Sequence, residues 1–243
     1  MAAENDIPLE ALADSSRQRP AGGFDEFSAY PPIADYAFLS DCEVTALVAP
    51  SGSVEWMCLP KMDGPSVFGS MLDRDAGWFR FGPDDVSVPS DRRYLPGTMV
   101  LETSWDCGEG WLVVRECLVM GPWQHDHPDG STHIRPPTDY DAEHMLLRTV
   151  RCVDGQAQLT LDCVPAFDYG RQHARWRHTE RGYSQAVVEP EGLDLTLTLT
   201  SDIRLGLEGS GARGRTLLKE GDTRFVALSW GGAPPPADYA DAY

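Results

Sequence analysis

Three histidines lie close together in the chain and are the first candidates for metal chemistry. His125, His127 and His133 occur in the sequence HDHPDGSTH. Histidines two apart on a strand share a face, and imidazole nitrogen is a common zinc ligand. The surrounding residues are rich in Pro and Gly, however, and offer no regular element or supporting contacts that would fix such a geometry. We therefore interpret this segment as a solvated loop and expect no metal site and no cofactor in this chain.

Acidic residues are numerous enough that pairs of carboxylates occur throughout the sequence. The chain has 38 Asp and Glu residues in 243. General acid–base catalysis needs two groups whose surroundings push their pKa values apart. Most of the carboxylates fall in turns or at alternating strand positions, and no spacing makes two of them converge. We assign no general acid and no general base to this chain.

Charge and composition exclude some classes of partner. The formal net charge is −18 and the sequence pI is about 4.5, whereas nucleic-acid binding needs a clustered basic surface. No run of 18 apolar residues is present, and the acidic start MAAENDIPLEAL lacks the basic and apolar regions of a secretory signal. We expect neither nucleic acid nor membrane as a partner, a cytoplasmic location, and six reduced cysteines that form no C-x-x-C pair.

The elements that must position any functional residue are strands, because the dominant hydrophobic period is two. Leu193, Leu195, Leu197 and Leu199 alternate with polar residues, and the parity continues to Leu207 with a break near Ser201. A second alternating run extends from Ala157 to Cys163. Further predicted strands are 46–49, 54–58, 78–81, 99–105, 111–120, 145–153, 183–188 and 225–230, with turns at Asp154-Gly155 and similar sites.

These patterns predict an all-β fold, an antiparallel two-sheet β-sandwich of the super-sandwich type with few short helices. The only helix predicted in the body is Ser66 to Asp73. Residues 1–30 are polar with helix-breaking Pro and Gly, which indicates a disordered N-terminal tail. The sandwich domain is predicted over residues 31–232. Residues 233–243 contain three consecutive prolines and are predicted to begin a linker.

Several segments together resemble one enzyme family. The stretch 31–68, PPIADYAFLSDCEVTALVAPSGSVEWMCLPKMDGPSVF, is similar to the opening of family 15 glycoside hydrolases, most closely the bacterial trehalases of that family. The resemblance extends through MLDRDAGWFRFGP at 71–83, RRYLPGTMVLETSW at 92–105, LLRTVRCVDGQAQLTLDCVPAFDYGR at 146–171 and RTLLKEGDTRFVALSW at 215–230. Residues 121–152 resemble an insertion of actinobacterial trehalases.

This resemblance implies an N-terminal β-sandwich followed by an (α/α)6 barrel that carries the active site. The parent reaction would be inverting hydrolysis of α,α-trehalose to two glucoses, for which an acid and a base lie about 6.5–9.5 Å apart. The resemblance places both glutamates in the barrel, so this chain alone is expected to be inactive. The implied partners are the C-terminal catalytic barrel, trehalose or another α-glucoside, and a second copy in a homo-oligomer. Phosphate and magnesium are implied only for full-length relatives.

The loop from Trp56 to Ser66 is the best functional candidate in the chain itself. Relatives usually read W-x-C-x-P-R-F-D-S-P-S there, and the resemblance implies a loop that reaches the substrate pocket of the barrel. Trp56, Lys61, Asp63 and Ser66 are the predicted substrate-binding residues, with Lys61 and Asp63 on sugar hydroxyls. Lys61 stands where relatives have Arg, so the charge is kept and the bidentate fork is lost.

Two segments also have purely structural interpretations. The loop can be a hairpin end bounded by Pro60 and Pro65, with Asp63 capping the short helix predicted after it. Asp168 and Arg171 can face a domain partner, but we favour a strand-end turn with Phe167 and Tyr169 in the core.

Three functional hypotheses remain open. The chain is either a docking or pocket-completing domain of a trehalase, the corresponding domain of a glucoamylase-like family 15 enzyme, or a stand-alone carbohydrate-binding module. The last would stack sugars on exposed tryptophans, for which the candidates are Trp105, Trp111, Trp123, Trp176 and Trp230.

Overall fold

A computed structural model describes residues 30–121, 142–232 and 234–242. The contacts divide the chain into two units, Met1–Pro31 and Pro32–Tyr243, and the architecture below is that of the second unit. The predicted tail, apart from Tyr30, lies outside the described residues, and so do His125, His127, His133 and Trp123.

Sixteen strands and few helical turns account for the regular structure of the described chain. A 3-10 helix spans Ile33–Asp35, and two four-residue helical turns are α1 (Phe167–Gly170) and α2 (Tyr239–Ala242). The strands are β1 (Ala37–Ser40), β2 (Thr45–Val48), β3 (Ser53–Cys58), β4 (Ser66–Phe68), β5 (Trp78–Pro83), β6 (Asp91–Tyr94), β7 (Leu101–Asp106), β8 (Gly110–Met120), β9 (Ala142–Val164), β10 (Gln172–His173), β11 (Arg177–Thr179), β12 (Gly182–Val188), β13 (Leu197–Ser201), β14 (Gly206–Glu208), β15 (Gly211–Lys219) and β16 (Thr223–Ser229).

The strands other than β10 form two antiparallel sheets, which confirms the predicted all-β sandwich. The first sheet has the order β1-β2-β3-β5-β9-β15-β14, with β4 paired to β3. The second has the order β6-β7-β8-β9-β16-β13-β12-β11. Only β9 belongs to both sheets among the described strands.

Strand β9 is 23 residues long and passes from the second sheet into the first. Its first part pairs with β8 and β16 as far as Gly155, and its last part, from Gln156, pairs with β15 and β5. The predicted turn at Asp154-Gly155 is therefore wrong. Gly155 has a φ of 61°, and a Cβ at this position would clash with the Glu109 carbonyl, so the glycine permits the change of sheet.

The alternating leucines lie as the sequence predicted, with the apolar parity facing inward. Leu197 and Leu199 are fully buried on β13, and Leu205 is buried beyond the break, which falls at Ser201. The strand is shorter than predicted, however, because Leu193 and Asp194 precede its first ladder pair.

The predicted helix Ser66 to Asp73 is wrong. Ser66 begins β4, because Cys58 and Met57 of β3 pair with Ser66 and Phe68. A tight turn follows, in which the N–H groups of Leu72 and Asp73 donate to the carbonyl of Gly69. The apolar residues of this segment pair with β3 as an edge strand, and this pairing outweighs their local helix propensity.

One ion pair lies between the sheets. Arg148 on β9 and Glu116 on β8 are 2.7 Å apart, and both side chains are fully buried. Arg148 also donates to the carbonyls of Gly52 and Phe79. The pair thus connects the second sheet to the backbone of the first.

Candidate functional site

The candidate loop is a hairpin end between β3 and β4. The N–H of Leu59 donates to the carbonyl of Pro65 at 3.2 Å, and the N–H of Gly64 donates to that of Lys61 at 2.9 Å. A Cβ at Gly64 would lie 2.6 Å from the Leu59 carbonyl oxygen, so this backbone path requires the glycine. The hairpin interpretation of this segment is confirmed.

Lys61 points to a carboxylate outside its own hairpin. Its Nζ lies 3.2 Å from Oε1 of Glu43, and the Lys61 side chain remains 56% exposed. The N–H of Met62 donates to the Glu43 carbonyl at 3.0 Å. The turn between β1 and β2 therefore holds the loop through both backbone and side chain.

Glu43 also binds His144, which lies near the start of the sheet-crossing strand β9. Nε2 of His144 lies 2.8 Å from Oε2 of Glu43, and the Glu43 side chain is only 10% exposed. Burial raises the pKa of Glu43, but hydrogen bonds from His144 and Lys61 outweigh it and hold the pKa below its usual value. Glu43 is therefore ionised and can only accept, so Nε2 of His144 carries the proton.

Trp56 and Ser66 meet a different residue, Tyr169. The Tyr169 N–H donates to Oγ of buried Ser66 at 3.0 Å, and the rings of Trp56 and Tyr169 are 6.5 Å apart. Asp168 and Tyr169 both have left-handed backbones, with φ of 50° and 58°. Two such residues in succession carry strain, which the surrounding contacts must hold. The turn presents Tyr169 with 53% of its surface exposed.

The four predicted residues therefore do not form one cluster. Lys61 lies with Glu43 and His144, whereas Trp56 and Ser66 lie with Tyr169. Asp63 is exposed in the loop, and its predicted role as a helix cap is wrong because a strand follows it. Sequence reasoning missed Glu43, His144 and Tyr169. His144 is 101 residues from Glu43, and no local pattern links residues so far apart.

Asp168 and Arg171 form an ion pair with each other. Their side chains are 3.0 Å apart and substantially exposed. Phe167 is fully buried, as the turn interpretation predicts, but Tyr169 is not in the core. The prediction for Tyr169 is wrong because the left-handed turn rotates its side chain outward.

A cavity of about 690 Å³ lies beside the Glu43–His144 pair. Its wall includes Gln185, Asp194 and Trp230 in addition to that pair. Trp230 is 2% exposed, and the His144 ring lies 6.0 Å from the Trp230 ring. This is the end of the sandwich where β16 finishes and β9 begins.

The remaining buried carboxylates serve the fold. Glu55 accepts from Tyr36 and Arg74, at 2.5 and 2.8 Å. Burial raises the pKa of Glu102, but hydrogen bonds from Arg115 and Arg93 outweigh it and leave the pKa lowered. A general acid needs a raised pKa, so Glu102 is unsuited to this role.

Metal ligands and membrane spans can be judged only for the described residues. Within 30–121, 142–232 and 234–242, no group of three or more His, Cys, Asp and Glu side chains is arranged to hold a metal ion. No helix in these ranges is long and apolar enough to cross a membrane.

Two comparisons with known protein sequences indicate the same relationship. Residues 27–112 match the family model described as trehalase-like, N-terminal. Over 217 residues, 88% of this chain, the sequence is 56% identical to the trehalase of Mycobacterium tuberculosis and 54% identical to that of Mycolicibacterium smegmatis. It is 39% identical over 165 residues to trehalase 2 of Sulfolobus acidocaldarius. The chain spans about a third of the two mycobacterial proteins, 32% of each.

Proposed function

We propose that the chain is the N-terminal β-sandwich domain of a family 15 trehalase, a proposal supported by the match of residues 27–112 to the trehalase-like, N-terminal family model. The parent reaction is the inverting hydrolysis of α,α-trehalose to two glucoses, within trehalose catabolism. The observation that carries the proposal is the 54–56% identity to two proteins named trehalase over 88% of this chain. The hypothesis of a glucoamylase-like parent enzyme has no comparable support from the relatives named above.

In this proposal the domain does not itself catalyse the reaction. An inverting hydrolase needs two carboxyl groups that face each other across the sugar, one of them kept protonated. Glu43, Glu55 and Glu102 instead form ion pairs with basic partners. The proposal places the acid and the base in a C-terminal barrel, consistent with relatives of which this chain spans 32%.

The domain contributes to the parent enzyme by docking and by one loop. Glu43 holds Lys61 at the tip of a hairpin whose other exposed polar side chain is Asp63. Two charged side chains on a fixed hairpin are suited to hydrogen-bond sugar hydroxyls at the edge of a pocket that the barrel completes. Trp56 and Ser66 support the other side of the hairpin through Tyr169. The full-length form is a cytoplasmic homo-oligomer in this proposal.

A module that stacks sugars on exposed tryptophans is less well supported. Trp105 and Trp230 are buried, at 0% and 2% exposure. Trp111 and Trp176 are half-buried. Trp105 and Trp230 therefore offer no open ring face for such stacking.

The test is trehalose hydrolysis by this chain alone and by a chimera. The chimera joins the chain to the part of the Mycobacterium tuberculosis trehalase beyond its matched segment. We expect activity only from the chimera, and hydrolysis by the isolated chain would refute the non-catalytic role.

Lys61→Met and Asp63→Asn in the chimera test the loop. Each should raise KM by about tenfold, because each removes a charge-assisted hydrogen bond. Lys219→Met is the matched control, since Lys219 is an exposed lysine on β15, far along the chain from the hairpin. Unchanged KM in both loop variants would contradict the role of the loop.

A further inference from the structure

The cavity beside Glu43 is a built site with convergent polar groups. It lies where the ends of the two sheets meet, and its volume of about 690 Å³ falls within the roughly 300–1,000 Å³ of small-molecule sites. The first sheet contributes Glu43 from its β1–β2 turn, and the second contributes His144 and Gln185. Trp230, a candidate for sugar stacking in the sequence, lines it, whereas the predicted substrate-binding residues Trp56, Lys61, Asp63 and Ser66 are not in its wall.

Its polar side chains are held in place by their own contacts. Oε1 of Gln185 accepts from Thr179 at 2.8 Å, and its Nε2 donates to Thr200 at 3.0 Å. One N–H of that amide remains for a ligand. Glu43 is fixed by Lys61 and His144. Asp194 is exposed at the rim.

The His144 ring forms the floor of the cavity with 37% of its side chain exposed, and buried Trp230 packs beside it. Trp230 is buried and its indole Nε1 has no hydrogen-bond partner among the described residues. The centroids of the His144 and Trp230 rings are 6.0 Å apart, and the rings are tilted by 37°. An unpaired buried donor is costly unless it finds a partner.

The backbone at this floor is strained. His144 has a φ of 54°, and its carbonyl accepts from the Trp230 N–H at 2.9 Å. Gly231 has a φ of 71°, and a Cβ there would lie 2.9 Å from Nδ1 of His144. Only glycine therefore lets the chain pass so close to the imidazole. Strain that the fold holds in place beside a cavity is typical of binding sites.

We propose that this cavity binds a neutral sugar, with a pyranose ring against the partly exposed His144 ring and its hydroxyls on Glu43, Gln185 and Asp194. A carboxylate accepts from two adjacent hydroxyls and an amide both donates and accepts, which is the pattern that a polyol offers. Two carboxylates in the wall disfavour an anion. The site goes beyond the proposed function, because it is formed by this domain alone.

The test is a titration of the isotope-labelled chain followed by its backbone amide resonances, with α,α-trehalose and maltose as probes. We expect saturable shifts at His144, Gln185, Asp194 and Gly231, with dissociation constants in the millimolar range. Sorbitol, an open-chain polyol, should bind more weakly because its chain must be ordered on binding.

Two variants and a control locate the site. Asp194→Ala removes an exposed carboxylate and should weaken binding about tenfold, and Gly231→Ala should abolish it by displacing His144. Glu191→Gln alters an exposed acidic residue of a separate groove and should leave binding unchanged. Because Asp194 is exposed, its variant will fold even if Gly231→Ala does not.

The absence of shifts at these residues with both sugars would overturn the inference, as would equal binding of sorbitol or unaltered binding in Asp194→Ala. These results are independent of the hydrolysis assay. An active chimera with no sugar shifts in the isolated chain would refute the cavity site alone, and an inactive chimera with such shifts would refute the proposed function alone.

Discussion

The guanidinium carbon of Arg148 lies 5.0 Å from the centroid of the Phe79 ring, and Nη1 of Arg148 donates to the Phe79 carbonyl at 2.9 Å. Arg148 pairs with β8 and β16 in the second sheet, whereas Phe79 belongs to the first. One side chain thus combines a cation–π contact and backbone hydrogen bonds across the sandwich. Its counterion, Glu116, is fully buried.

Arg148→Met should destabilise the domain by about 3–5 kcal/mol, because it leaves Glu116 buried without a counterion. Urea unfolding measures this loss. Arg93→Met is the matched control, since the Arg93 side chain is 63% exposed in its pair with Glu102 and should cost less than about 1 kcal/mol. The double variant Arg148→Met/Glu116→Leu should recover much of the loss. Equal costs for the two arginine variants would contradict the structural role of Arg148.

Asp41→Asn should stabilise the domain at neutral pH by about 1 kcal/mol. Burial raises the pKa of Asp41. The contribution of this carboxyl group to the stability of the folded state is therefore present below the unfolded pKa of 3.8 and is lost as pH rises through the folded pKa. Its Oδ1 accepts from the N–H groups of Glu43 and Val44, bonds that an Asn oxygen retains. The gain in stability should disappear when unfolding is measured at a pH below the unfolded pKa of Asp41. Asp41→Ala, which loses the turn bonds, should instead destabilise.

Glu43→Gln should destabilise the domain at neutral pH by about 1 kcal/mol and have little effect in acid. The pKa of Glu43 is lowered, so its stabilising contribution is present above the unfolded value of 4.5 and is lost as pH falls through the folded pKa. Thermal unfolding measured from neutral into acidic pH should show the stability of Glu43→Gln and that of the unmutated chain converge. Glu208→Gln serves as the control, because Glu208 is 79% exposed. A pH-independent difference would argue against the ion pairs of Glu43.

Tyr94→Phe should open the edge strand β1 without unfolding the domain. The Tyr94 hydroxyl accepts from the Phe38 N–H at 2.8 Å and donates to the Phe38 carbonyl at 2.7 Å, so it occupies the place of a neighbouring strand. Amide exchange of Phe38 should accelerate about tenfold, while global stability changes by less than about 1 kcal/mol. Tyr183→Phe, an exposed tyrosine on β12, should change neither. Unaltered exchange at Phe38 would refute the bridging role.

Strand parity was readable from the sequence because it depends on residues two apart. Leu197, Leu199 and Leu205 all face the core as their alternation predicted. The Asp154-Gly155 turn was not readable correctly, since the same dipeptide serves a hairpin or a continuous strand that changes sheets. The pairings of Gly155 with Gly110 and of Gln156 with Lys219 show that the strand continues.

The candidate site was only partly predictable, for a similar reason. Lys61 was found through the family resemblance, but its partner Glu43 is 18 residues away in another turn. His144 offered no spacing signal, and its left-handed backbone is a property of the folded chain. Trp56 and Ser66 contact Tyr169 because of the strained turn at Asp168, and no local pattern of apolar residues indicates that turn.

Because β9 supplies hydrogen-bond partners to four other strands, two in each sheet, neither half of the sandwich can melt while the other stays intact. The domain should therefore unfold as one cooperative unit, with the slowest-exchanging amides at the centre of β9. Most of its pairings join distant parts of the chain, such as Trp78 with Val164, so folding should be slow for its size. A backbone cut near Gly155 would separate both sheets from their common strand at once, and the two fragments would have to associate to fold.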